Sequence, residues 1–526
     1  MQKKQSEMGE TLLDTWRRLV ARGAGRLAVI DGATGREWSR GELAGAAEQW
    51  VAEIPAELRG RLRRRRVVMA EPNGARWFQV FLGLLEAGAV PVLADAREAA
   101  ERLAVIAGVA RAAAVWCGGR LEFAGGGAGA GDFWSAAAER SGDAAFDGDG
   151  NSRISKSGVA VPRCRAPLCH RTPKNARLRR GDLCLVKLTS GSTGAPRALD
   201  FTHAQMLADG RQICAAMGIG AGDLNLGVIP LGHSYGLGNL VVPLLEQGTA
   251  VLCAASPFPQ AIAEDCARWR PTVFPAVPTL LRALAGADVA PEMLASLRTV
   301  ISSGAPLAVE VAVAFAGKFG RRVHNFYGSS ETGGIAYDCE GGAAEEGGRG
   351  VGRIIAGVRL HWRRGKRFAV ESDAVMGRGC HLMPDRGEMN ARGELVLLGR
   401  AGRTLKIAGR RLDPVEVENA LRALPGVRDA FVAEHPSRAD AVAAVVAFAF
   451  GKPSPPAPLP GGEGGAAAAA GETSAGAGVI AQWRGLLARR LAAWKIPDKI
   501  VVVSAFPVTQ RGKIDRAALA RMVAGG

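Results

Sequence analysis

Short apolar runs alternate with longer runs of helical spacing over most of the chain. RVVMAE (66–71) is brief and almost wholly apolar, as a buried strand would be, and ARWFQVFLGLLEAG (75–88) spaces its large apolar residues as a helix does. AVPVLAD (89–95) then returns to the strand pattern. The same succession recurs in GTAVLCA (248–254), PQAIAEDCARWR (259–270) and TVFPAVP (272–278). Such alternation predicts βα units, and so an α/β fold of parallel sheets with helices packed on their faces.

Beyond about Arg400 the elements shorten. TLKIAG (404–409) and AVAAVVAFAF (441–450) read as strands, PVEVENALRAL (414–424) and VIAQWRGLLARRLAAW (479–494) as helices. The change predicts two domains, 1–400 and 401–526, the second a small α+β unit. Two stretches interrupt the pattern. Residues 118–180 start with GGR and AGGGAGAGD and end in a basic run, which predicts a flexible insert. Residues 451–478 are rich in Pro, Gly and Ala and predict a low-complexity loop.

Composition narrows this little. At 526 residues, 48% hydrophobic and 22% charged, the chain has the length and balance of a soluble globular protein with a sizeable core. No run of about eighteen apolar residues occurs, so no membrane span is expected. The start, MQKKQSEMGETLLDTW, lacks the apolar centre of a signal peptide, which leaves the cytoplasm as the expected location. The nine cysteines stand singly and argue against a disulfide framework. Cys164, Cys169 and His170 cluster, but their spacing fits no zinc template.

The net charge of +17 suggests a nucleic-acid partner until it is mapped. Residues 151–180 carry nine Lys or Arg and no acidic residue, and a second basic knot, Arg61 with Arg63 to Arg66, precedes a strand. The excess is local and lacks interleaved aromatics, so solvated segments are expected and no nucleic-acid partner.

The first chemical signal is KLTSGSTGAPR, 187–197, where a strand opens into a turn of small residues. It lacks the Gly-Lys-Ser/Thr ending of the common nucleotide loop. Even so, successive N–H groups of a Gly-rich turn form an anion nest. Thr189, Ser190, Ser192 and Thr193 add hydroxyls between Gly191 and Gly194, and Arg197 adds a fixed positive charge. The same composition also makes a plain turn. Further stretches then follow in order: PLGHSYGLGNL (230–240), VISSGAPL (300–307), NFYGSSETGG (325–334), MPDRGEMNARGEL (383–395), LGRAGRTLKIAGRRLDPVEVE (398–418) and FPVTQRGKIDR (506–516).

In this order the stretches closely resemble the ATP-dependent, AMP-forming adenylating enzymes: acyl- and aryl-CoA synthetases, stand-alone peptide-synthetase adenylation domains and firefly-type luciferases. The resemblance runs from about Leu12 to Leu519, apart from the two interruptions. It implies a large N-terminal domain of β-sheets flanked by helices and a small, mobile C-terminal domain. It also implies a reaction: a carboxylate attacks the α-phosphate of ATP, pyrophosphate leaves, and a thiol of CoA or of a carrier-protein phosphopantetheine takes the acyl group from the adenylate.

The resemblance assigns roles residue by residue. Thr189 to Gly194 with Arg197 matches the loop for the β- and γ-phosphates, and Glu331, beside Ser330, the carboxylate that helps hold Mg²⁺. Ser303, Gly304, Ala305 and Pro306, with Tyr327 and Gly328, match the walls around adenine. Asp385 matches the ribose-binding aspartate and Arg400 the arginine that supports it. Lys513 matches the lysine that reaches the carboxylate and α-phosphate during adenylation. The loop from Lys406 through Gly409 to Arg411 matches the face presented to the thiol after domain rotation, and His233 a histidine between acyl pocket and thiol route.

Three positions depart from the pattern. Arg197 replaces a more frequent lysine, Gly402 stands at the hinge where Asp or Lys is usual, and Asp385 follows Met-Pro instead of Thr-Gly. Tyr235, Gly236, Leu237 and the strand end 274–279 are expected to border the acyl pocket, with Gly236 and Gly238 leaving room in it. SYGLGN resembles some aryl-CoA ligases, while fatty-acid ligases remain an equal alternative. An adenylation enzyme that loads a carrier protein, a luciferase-like oxygenase and a non-catalytic nucleic-acid binder on the same fold are the other readings.

Overall fold

The computed structural model describes residues 10–123, 181–190, 196–342, 349–377, 379–400, 405–407, 410–412, 414–448, 474–508 and 514–525. The basic run 151–180 with Cys164, Cys169 and His170, nearly all of the low-complexity loop, and Gly402 lie outside the described residues. The chain divides into two compact units. Unit one takes Met1–Asp14, Ala44–Pro72 and Arg76–Ala204; unit two takes Thr15–Leu43, Asn73–Ala75 and Gln205–Gly526.

Unit one is built on a six-stranded sheet in the order Arg120–Phe123, Ala114–Cys117, Arg66–Ala70, Val90–Ala94, β1 (Leu183–Ser190) and β2 (Pro196–Thr202). Its inner strands pair parallel, and antiparallel strands close both edges. Val67, Val68 and Met69 are all fully buried, which is why this segment reads as continuously apolar rather than alternating. Trp50 and Trp116 meet edge to face at 5.1 Å, and the Trp116 indole N–H donates to Glu71 at 2.7 Å. Much of the basic knot is engaged locally: Arg61 lies over the Phe123 ring, Arg64 pairs with Asp182, and Arg66 pairs with Asp200 at 2.7 Å.

Unit two centres on a nine-stranded sheet. Its order is Arg353–Ile354, β5 (Gly333–Tyr337), β4 (Val323–Ser329), β3 (Thr299–Ser302), Val273–Ala276, Leu224–Gly227, Ala250–Cys253, Leu27–Asp31 and Arg36–Ser39. From β4 to Leu27–Asp31 all neighbours are parallel, so their C-terminal ends share one edge. Phe274 and Val300 from the sheet pack with Ile262, Leu281 and Phe315 from the helices Pro259–Trp269, Pro278–Gly286 and Val309–Phe319. This is the βα architecture that the hydrophobic pattern predicts, and α1 (His203–Met217) continues it from the end of β2.

An antiparallel four-stranded sheet follows, Arg359–Arg363, Arg367–Glu371, β6 (Cys380–Met389) and β7 (Leu395–Arg400). After residue 405 come a short hairpin, the helix Pro414–Arg422 and a three-stranded sheet, with Leu421, Val432, Ala444 and Trp483 in one core. The helix expected over 479–494 runs Ser474–Ala488 and stops before the exposed pair Arg489–Arg490, although Leu491 and Trp494 continue the apolar spacing onto the same core; a 3₁₀ turn follows at Ala493–Lys495. Among the described residues no helix is long and apolar enough to cross a membrane.

Candidate active site

The nucleoside half of the expected site lies within unit two, at the shared C-terminal edge of β3 and β4. Register pairs Ser302 with Asn325, so the turn after β3 lies beside Tyr327, two residues further along β4. Gly304 turns the chain there with φ +85°, a conformation that glycine adopts without strain. Tyr327 donates its hydroxyl to Asp385 Oδ2 at 2.7 Å. Burial, then the neighbouring carboxylate, pushes the phenol pKa far above its ordinary value, so the group remains a donor. Asp385 on β6 stands opposite Arg400 on β7, whose Nε lies 3.5 Å from Oδ1. Asp385 is thus held from both sides, although its Met-Pro context departs from the usual one.

Glu331 sits in the three-residue connection between β4 and β5. Ser329 and Thr332 close that turn through their hydroxyls at 3.0 Å, and the Thr332 N–H donates to Ser329 Oγ at 3.2 Å. Ser330 accepts a hydrogen bond from Ser234 at 2.8 Å, and the Glu331 carbonyl accepts from the Met376 N–H at 2.8 Å. Gly328 is packed so closely that a Cβ there would lie 2.5 Å from the Gly333 carbonyl. Among the described residues no group of three or more His, Cys, Asp or Glu could hold a metal ion. A single carboxylate beside hydroxyls fits Mg²⁺ only where phosphate oxygens and water complete the shell, which is how nucleotide-bound Mg²⁺ is commonly held.

The stretch expected at the rim of the acyl pocket lies deeper than its sequence suggests. His233 is half-buried and precedes a short helix, Ser234–Gly236, that runs into a π-helix, Leu237–Val241. Tyr235 is buried; its hydroxyl donates to the Ile301 carbonyl of β3 at 3.3 Å, and burial pushes its pKa well up. Gly236 and Gly238 do not open space for a substrate. A Cβ on Gly236 would meet the Pro230 carbonyl oxygen at 2.1 Å, and one on Gly238 would meet Ile213 at 3.1 Å. These glycines serve close packing of the chain on itself.

The residues expected to form the phosphate loop belong to unit one. Thr189 pairs with Arg197, and Ser190 with Pro196, across the mouth of the β1–β2 hairpin, and Arg197 is exposed. Gly191, Ser192, Thr193 and Gly194 lie outside the described residues. So do Lys513, Gly409 and the side chains of Ser190 and Lys406. Lys406 pairs with Arg411 along the backbone of the short hairpin, and an antiparallel bridge between Val508 and Ile514 flanks the segment of Lys513.

Three polar residues of α1 that brace segments beside this region did not stand out in the sequence. Gln205 donates to the Val375 carbonyl at 2.8 Å, Asp209 accepts from the Gly334 N–H at 3.0 Å, and Gln212 accepts from Ser372 at 3.2 Å. A polar stripe at helical spacing ordinarily marks a solvated face. The signal available was the pairing of a polar stripe with glycines in NFYGSSETGG, since a buried polar group needs close main-chain partners.

The sequence profile of the AMP-binding enzyme family matches residues 16–365. A benzoate–CoA ligase of Thauera aromatica is 28% identical over 365 residues, covering 64% of this chain and 65% of its own length. A p-hydroxybenzoic acid–AMP ligase of Mycobacterium tuberculosis is 29% identical over 363 residues, covering 64% of this chain and 48% of its own length. The chain thus spans just under two thirds of one relative and about half of the other. The ATP-bound structure of MatB from Rhodopseudomonas palustris superposes with a TM-score of 0.72 at 19% identity, covering 98% of this chain and 99% of that one. The fold is therefore the α/β adenylate-forming fold over nearly the whole length.

Proposed function

Because the chain belongs to the AMP-binding enzyme family, we propose that it activates a carboxylic acid with ATP, forming an acyl-adenylate and pyrophosphate, and passes the acyl group to a thiol, that of CoA. The observation that carries this reading is the Tyr327–Asp385–Arg400 arrangement at the end of β4, beside the Gly304 turn. An aromatic ring for a base, next to a carboxylate that can accept from both ribose hydroxyls, suits a nucleoside.

In the adenylation step, Thr189, Ser190, the turn through Gly194 and Arg197 grip the pyrophosphate end of ATP, while Glu331, beside Ser330, would help hold the metal. Mg²⁺, when bound with ATP, supplies neutralising charge between the phosphates. Ser303 to Pro306 and Tyr327 hold the base, and Asp385 with Arg400 the ribose. Lys513 arrives from the region 401–526, proposed as a lid, and stabilises the charge that gathers as the carboxylate oxygen bonds the α-phosphorus and pyrophosphate departs. In the second step a thiolate attacks the acyl carbon and AMP leaves, with His233 and the loop of Lys406 and Gly409 facing the thiol route.

The aromatic acids in the relatives' names support an aryl acid as substrate. The likeness to an AMP ligase favours a second reading, in which a carrier protein's phosphopantetheine replaces CoA as acceptor. Acid-dependent ATP–pyrophosphate exchange over benzoates, cinnamates, fatty acids and amino acids tests the first step. Exchange with an aryl acid is expected; no exchange with any acid overturns the proposal. AMP release that requires free CoA supports the first acceptor, and release only with a phosphopantetheinylated carrier protein replaces it by the second.

A further inference from the structure

We propose that Asp209 is a positioning residue for Glu331: its buried carboxylate fixes the backbone from which Glu331 reaches the metal–nucleotide. The proposal rests on the reading of Glu331 as the metal-binding carboxylate.

The geometry comes from one face of α1. Asp209 is only 3% exposed, and its Oδ1 accepts from the Gly334 N–H at 3.0 Å. A buried carboxylate is costly unless hydrogen bonds replace its water, so this position is an expensive one for mere packing. Gly333 has φ +70°, and a Cβ on it would fall 2.2 Å from Asp209 Oδ1, so only glycine admits the carboxylate this closely. The other oxygen, Oδ2, would lie 3.3 Å from a Cβ on Gly238 in the π-helix. Asp209 is therefore wedged between the hairpin that carries Glu331 and the segment that carries His233 and Tyr235.

Its neighbours on the same face complete the hold. Gln205, four residues earlier, donates to the Val375 carbonyl, and the next residue, Met376, donates its N–H to the Glu331 carbonyl. Ser234 closes the opposite side through Ser330. The main chain around Glu331 is thus pinned at Glu331 and Gly334, and the neighbouring Ser330 is held by its side chain. Asp209 itself is oriented to main chain and is not a ligand; its action runs through the hairpin.

The test uses the full-length protein and two readouts besides turnover: amide hydrogen exchange at Gly333 and Gly334, and Mn²⁺ binding measured by electron paramagnetic resonance with a non-hydrolysable ATP analogue. In Asp209→Ala, exchange at Gly334 is expected to rise about tenfold or more, and nucleotide-dependent Mn²⁺ affinity to fall about tenfold, with metal-free nucleotide binding unchanged. Asp209→Asn, which keeps shape and an acceptor oxygen, should fold as the parent does and show smaller changes in the same direction. Glu331→Gln should weaken Mn²⁺ binding without altering exchange at Gly334. Folded Asp209 variants with parental exchange and parental Mn²⁺ affinity overturn the proposal while the reading of Glu331 stands. Parental Mn²⁺ affinity in Glu331→Gln overturns that reading, and the positioning proposal with it, whatever the Asp209 variants do.

Discussion

Tyr327 donates its hydroxyl to Asp385 across 2.7 Å, joining the strand beside the turn proposed to border adenine to the strand proposed to hold ribose. In that proposal one residue both offers a ring to the base and orients the carboxylate assigned to the sugar. Tyr327→Phe separates these roles, because the ring stays and the bond goes. We expect KM for ATP to rise about three- to tenfold with kcat within about twofold, and discrimination against 2′,3′-dideoxy-ATP to weaken. Pyrophosphate exchange measured at varied nucleotide checks this; unchanged KM and unchanged ribose discrimination would remove Tyr327 from that role.

The close contact at Gly236 gives a prediction of a different kind. A methyl there meets a backbone oxygen, which cannot swing aside as a flexible side chain can. Gly236→Ala should cost about 1–3 kcal/mol of stability and shift the short helix behind His233 and Tyr235. Urea unfolding reads the first effect and KM for the acid the second. A variant of parental stability and parental KM would restore the idea that this glycine leaves open space.

Lys513 carries the clearest kinetic expectation. Lys513→Ala should lower the rate of adenylate formation about 10²- to 10³-fold, while ATP binding in equilibrium titration changes little. Thioester formation from a chemically supplied acyl-adenylate should largely survive, since the lysine is proposed for the first step alone. A parental exchange rate in the variant would exclude it from catalysis.

His203 makes stability depend on pH. The ring is buried, its Nδ1 accepts from the Leu12 N–H at 3.3 Å, and burial lowers its pKa to about 4 from the usual 6.5. The folded protein keeps this imidazole neutral in the interval where the unfolded chain already takes up a proton. Stability from His203 is therefore complete above pH 6.5, declines as pH falls toward 4, and changes no further below it. The total is on the order of 3 kcal/mol. His203→Asn keeps an acceptor and cannot titrate here, so the pH dependence of its urea midpoint should be flatter between pH 6.5 and 4. Parallel curves for the two proteins would show that the ring does not contribute.

The strand and helix periods were legible because burial on both faces writes a continuous apolar run, as in 67–69, and a helix packed on a sheet writes its own spacing, as in the run that became the helix Pro259–Trp269. The end of the helix at Ala488 was not, since an apolar pattern continues past the two arginines while the hydrogen-bonded helix does not. Motif order pointed to Tyr327, Asp385, Arg400 and Glu331 without saying which of them touch. It also suggested space at Gly236 and Gly238, because glycine's lack of a side chain looks the same in sequence whether it admits a ligand or another turn of the chain.

What the sequence determined by itself was the α/β class, the order of the motifs and the kinds of side chain available for a nucleotide, all properties of local spacing and residue chemistry. Only the tertiary structure decided that Tyr327 bonds Asp385, that Arg400 stands opposite it in register, and that Asp209 lies against Gly333 and Gly334, 124 and 125 residues further along. Hydrogen bonds act over about 3 Å, and distances of that kind are set by strand register and by helix packing between segments remote in the chain. A list of residue types carries no record of them.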